Sequence, residues 1–126
     1  MNDAEMQRCV RQMSYLRVGW RLEFAVCGCN PKHDPVKTVV SPDGSQFTAT
    51  LSREKALKIA RRMLDVRGSG ALGIASQAAT LPEFVGWLAT ETGVLSEIGK
   101  LAAIAIALED NGITWADLGV TAERSS

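Results

Sequence analysis

The chain reads as an α+β domain: an N-terminal helix, a three-stranded antiparallel sheet and a basic helix (αβββα), then a small helical part around one central buried helix. Three observations predict it. Val18, Trp20, Leu22, Phe24 and Val26 alternate with Arg17, Gly19, Arg21, Glu23 and Ala25, the period of a strand with one face on a core. Two further β-rich runs flank Ser41-Pro42-Asp43-Gly44, where proline sets the first corner and glycine accepts a positive φ. Leu101 to Leu108 are all apolar, and a helix with no polar face must be enclosed by protein.

The elements follow in order. A helix is expected from about Asp3 to Tyr15, capped by Asn2 or Asp3, with an apolar stripe at Met6, Cys9, Val10 and Met13. The alternating strand comes next, and Cys27–Pro35 is a loop punctuated by Gly, Asn and two prolines. Val36–Val40 and Gln46–Leu51 form the hairpin. Ser52 caps a helix running to about Val66, whose buried stripe is Ala56, Leu57, Ala60, Met63 and Leu64. Thr80-Leu81-Pro82-Glu83 is a capping box with proline in the first turn, opening a short helix to Ala89 with Phe84, Trp87 and Leu88 inward. The central helix spans Val94–Leu108, Asn111-Gly112-Ile113 ends it, and Thr114 starts a last turn over Trp115–Leu118.

At 126 residues this is one domain, or two lobes: 1–67, a Gly/Ala-rich hinge at 68–79, a helical lobe at 80–120 and a frayed tail at 121–126. Apolar residues at 46% with 22% charged suit a globular chain and exclude disorder. Net charge is zero but unevenly spread: residues 51–70 carry +4 and residues 71–126 carry −5. The N-terminus has no apolar signal core, eight apolar residues cannot cross a bilayer, and three cysteines suit a reducing compartment. A cytoplasmic protein with no membrane contact is expected.

Two motifs carry little chemistry. Gly68-Ser69-Gly70-Ala71-Leu72-Gly73 matches GxGxxG but follows a helix, so it lacks the strand that would deliver glycines to a pyrophosphate. Cys27, Cys29 and His33 supply zinc-ligand atom types or a Cys–His pair, but CxC is tighter than usual zinc spacing and no third group orients the histidine. Glu109-Asp110 at a helix end reads as a solvated acidic pair. No catalytic residue or cofactor is therefore nominated.

The basic helix is the strongest binding lead. Arg53, Lys55, Lys58, Arg61 and Arg62 occupy the side opposite its apolar stripe, where they would meet phosphates, an acidic protein surface or this chain's own acidic half. In order of elements only, αβββα resembles the double-stranded-RNA-binding domain. That likeness implies phosphate contacts from Arg53, Lys55 and Lys58. The family's K-K-x-A-K pattern is absent here, the segment being SREKALK. ALEDNGITWADLGV also echoes a helix-turn-helix, but Gly119 stops its second helix after about one turn. Gly99, Ala103 and Ala107 stack four apart and let a backbone approach closely, inside the fold or across a twofold axis in a homodimer.

Three functions follow in order of expectation. The first is a non-enzymatic protein that docks onto another protein as inhibitor, adaptor or regulator, as small phage proteins do when they block a host or defence complex. The second is a nucleic-acid binder using helix 53–62 beside the sheet. The third is a zinc-site protein or Cys/His enzyme centred on Cys27, Cys29 and His33.

Overall fold

The structure, a computed structural model, describes residues 3–25, 36–67 and 80–119. The chain runs α1 (Asp3–Met13), β1 (Arg21–Ala25), β2 (Val36–Val40), β3 (Gln46–Thr48), α2 (Arg53–Arg67), α3 (Leu81–Glu91), α4 (Leu95–Asp110) and a 3-10 turn (Trp115–Leu118). The antiparallel sheet has order β1-β2-β3, so the class is α+β as the pattern predicts. The loop at 27–35, the hinge at 68–79 and the tail at 121–126 lie outside the described residues.

Helix α4 is the centre. Ile98, Gly99 and every residue from Leu101 to Leu108 are buried. It is covered by α2, α3, β2 and β3. Each fully buried Ile or Leu contributes about 2 kcal/mol, so this segment is the main source of stability. One cluster of buried side chains joins Val39 and Ala49 of the sheet region, Ala56 and Ala60 of α2, Leu81, Val85 and Ala89 of α3, and the whole run of α4. The helix ends as Asn111-Gly112-Ile113 predicts. Gly112 has φ +65°, its N–H donates to Glu109 O at 3.1 Å, and Ile113 N–H donates to Leu108 O at 2.9 Å while its side chain folds back into the core.

Four expectations are corrected. The first strand is shorter than its alternation, because Arg17–Trp20 is a turn closed by Trp20 N–H to Arg17 O at 3.0 Å, with Gly19 at φ +91°. Val18 is therefore fully exposed, while Trp20 still packs, its ring centroid 6.0 Å from that of Phe47. The third strand stops at Thr48, not Leu51: Ala49 N–H makes one more bond to Lys37 O, and Lys37 N–H then meets the Thr50 hydroxyl rather than a carbonyl. In α3 the buried row is Leu81, Val85 and Ala89, four apart, and Trp87 stands 55% exposed. Phe84 and Leu88 are only partly buried, Phe84 leaning on Trp115 with centroids 5.4 Å apart.

The fourth correction is the largest. Helix α1 is inside out: Met6, Val10 and Met13 are 55%, 65% and 53% exposed, while Gln12 is fully buried. Leaving three such side chains half-exposed forgoes about 1 kcal/mol each. The opposite orientation would take from the partly buried Glu109 and Asp110, and from Lys37, the hydrogen bonds that Gln12 and Arg11 now make to them, and a hydrogen bond to a charged group is worth about 1.5–3 kcal/mol. The polar face wins.

The hairpin and caps behave as read. Gly44 sits at φ +89° and donates to Ser41 O at 3.0 Å, and the Ser41 hydroxyl bonds the Asp43 carboxylate. That hydroxyl and the Ser45 amide hold Asp43 below the usual carboxylate range. Ser52 Oγ accepts from Lys55 N at 3.2 Å, and Thr80 Oγ1 accepts from Glu83 N at 3.3 Å.

Gly99 and Gly86 mark two close approaches. A Cβ at Gly99 would lie 2.3 Å from the Phe47 ring, and one at Gly86 2.5 Å from the Tyr15 ring. Gly99→Ala is expected to cost about 1–3 kcal/mol by overpacking, seen as a lower urea midpoint. Pairing it with Phe47→Leu should cost less than the sum of the two single changes; strict additivity would refute the contact.

Candidate functional site

Two polar features flank α4, and the sequence-predicted residues divide between them. On one side the last turn of α4 meets α1 and β2. Period two places Lys37 on the same sheet face as Val39, pointing at the helices. Its Nζ donates to Asp110 Oδ1 at 2.8 Å and to Gln12 Oε1 at 2.9 Å, while Gln12 Nε2 donates to Asp110 Oδ1 at 2.9 Å. Arg8 approaches the same carboxylate at 3.9 Å. Beside it Glu109 accepts from Arg11 Nε at 2.7 Å and from the Tyr15 hydroxyl at 2.6 Å.

Glu109 and Asp110 are thus not the solvated pair their position suggests; each is largely buried and held from α1. Negative charge at a helix C-terminus opposes the macrodipole, and three cations with two neutral donors offset it. Burial, then the Glu109 carboxylate, pushes the Tyr15 hydroxyl above its ordinary value. The hydrogen bond and charge of Glu109 raise Arg11 likewise. Among the described residues no buried side-chain polar atom lacks a partner, so the buried groups of this hub are satisfied within the chain.

On the other side lie α2 and the predicted basic residues. Arg53 is exposed but already engaged: Nη1 donates to Asn111 O at 2.9 Å at the negative end of α4, and Nη2 pairs with Asp117 Oδ1 at 2.9 Å. Arg61 Nη2 donates to Asp117 O at 3.2 Å. The Thr114 backbone amide, with the nearby Arg53 charge, keeps Asp117 below its ordinary range. All five cations are exposed, and two of them, Arg53 and Arg61, bind the chain's own C-terminal part.

Lys55 borders a groove of about 350 Å³ between β3, α2 and α4. Phe47, Leu51, Ile59 and Ile104 give it an apolar lining, and Lys100 of α4 is its second cation. Ile59 is 38% exposed there. Lys100 is not among the basic residues the sequence predicts for binding, because the groove residues around it come from β3 and α2, far away in sequence.

The small-residue stripe is used within the chain. Gly99, Ala103 and Ala107 are all buried, with Phe47 filling the space above Gly99 and Ala103 at the wall of the groove. Cys27, Cys29 and His33 lie outside the described residues. Among the described residues no cluster of three or more metal-ligating side chains occurs, and no helix is long and apolar enough to cross a membrane. No protein-family model, curated protein or solved structure matches the chain.

Two measurements check the hub. Lys37→Met should lower stability by about 2 kcal/mol or more, because Asp110 and Gln12 lose their shared donor, whereas Met6→Gln or Val10→Gln should stay within about 0.5 kcal/mol. Equal losses would restore the conventional orientation of α1. A tyrosine whose folded pKa is raised contributes stability below the free value of about 10 and loses it as pH climbs beyond. Urea midpoints measured from about pH 9 to about pH 11 should therefore fall more steeply for the parent chain than for Tyr15→Phe.

Proposed function

We propose that the chain acts by contact rather than turnover, docking in the cytoplasm onto another protein as an inhibitor, adaptor or regulator. The observation that carries this reading is the groove: an apolar lining bordered by one lysine from α2 and one from α4. An apolar residue flanked by carboxylates on a partner would bury area there and neutralise both ammonium groups. Nucleic acid is the weaker reading, because tracking a phosphate backbone takes several cations along one face. Arg53 and Arg61 are already engaged with Asn111 and Asp117, which leaves Lys55, Lys58 and Arg62.

The test is affinity purification of three tagged versions from the native host. The parent chain and Lys58→Glu/Arg62→Glu should retain one stoichiometric partner protein, while Lys55→Glu/Lys100→Glu should lose it. All four positions are exposed, so the variants should fold. Retention by every version would reject the groove. Recovery of nucleic acid that is lost with either double variant and with added salt would favour the second reading instead.

A further inference from the structure

We infer that the groove takes its partner as an extended segment, added as a fourth strand on the open edge of β3; this rests on the docking function proposed above. Among the described residues, strand β3 is the last of the sheet and pairs on one side only, with β2. The hydrogen-bonded pairs of that ladder follow from two flanking bonds. Ala49 N–H donates to Lys37 O at 2.9 Å and Ser41 N–H to Ser45 O at 2.9 Å. Pairs 37/49 and 41/45 therefore point inward, and with them 39/47. Gln46 and Thr48, at the alternate positions, turn their backbone N–H and C=O toward the outer side, and both residues are exposed.

Unpaired edge groups are a template for another strand unless lysine, proline or a covering element blunts them. Gln46-Phe47-Thr48 carries neither charge nor proline. Two cations, Lys55 and Lys100, stand on neighbouring helices at the groove that Phe47 and Thr48 help to line. A guest strand on this edge sends every second side chain to the face where the groove lies. Its fitting pattern is acidic–x–apolar–x–acidic, with the apolar side chain on Leu51, Ile59 and Ile104 and the carboxylates reaching Lys55 and Lys100. A second copy of β3 brings no acid to those lysines, since Gln46, Phe47 and Thr48 are uncharged.

The experiment selects binders to the full chain from a displayed library of random peptides of about a dozen residues. Selected peptides should share the acidic–x–apolar–x–acidic pattern and weaken about tenfold or more against Lys55→Glu/Lys100→Glu. Each is then made in two backbone series, N-methylated on one or the other alternate set of amides. One series should lose binding about tenfold and the other little, because only every second amide of an added strand faces β3. If both series bind alike while charge reversal still abolishes binding, strand addition is overturned and the docking groove stands. If no peptide is selected, or none responds to charge reversal, both fall.

Discussion

An eight-residue helical run without a polar side chain has no face to give to water, and the rest of the molecule is arranged to cover it. Sheet, α2 and α3 each give apolar residues to α4. That enclosure creates a second demand. The final turn of α4 carries Glu109 and Asp110 where the helix dipole is already negative, at the edge of an apolar interior. Lys37, Gln12, Tyr15, Arg8 and Arg11 meet the demand on one side, and Arg53 reaches the end of the same helix from the other. The C-terminus of α4 is thus the junction of α1, β2 and α2.

This junction explains why α1 contradicts the rule that apolar residues turn inward. A helix has one orientation to give, and α1 holds two competing faces. Gln12, with Tyr15 just beyond the helix, is buried and completes the network around Glu109 and Asp110, whereas Met6, Val10 and Met13 lose only part of their burial energy outside. The penalty for an unmet charge exceeds the penalty for an exposed methionine.

The legible parts of the chain are those decided by local chemistry. Capping by Ser52 and Thr80, the Ser41–Gly44 turn, the Asn111-Gly112-Ile113 stop and the all-apolar run all stand where their residues put them. What local pattern conceals is partnership at long range. Lys37 sits in VKTVV as one charge in an apolar strand and Gln12 as one amide in a polar helix, and neither announces the other across 25 positions. The basic face of α2 was visible as a face. The engagement of Arg53 and Arg61, which sets them apart from Lys55, Lys58 and Arg62, depends on Asp117, which is 64 residues from Arg53. Lys100 was hidden for the same reason, because its neighbours in the groove come from β3 and α2.

That division bears on what the surface can recognise. A helix presenting five cations in a row would act as a diffuse positive field, strong in attraction and poor in discrimination. Tying two of them to the chain's own C-terminal part weakens the field and fixes α2 against α4. The groove between these helices then combines an apolar lining with two separated charges, Lys55 and Lys100. Apolar burial supplies affinity without direction, and paired charges supply direction with little net affinity in water. On the docking function proposed above, a site holding both in one groove would reject a purely acidic surface, which leaves the lining uncovered, and a purely apolar one, which leaves two ammonium groups desolvated without partners.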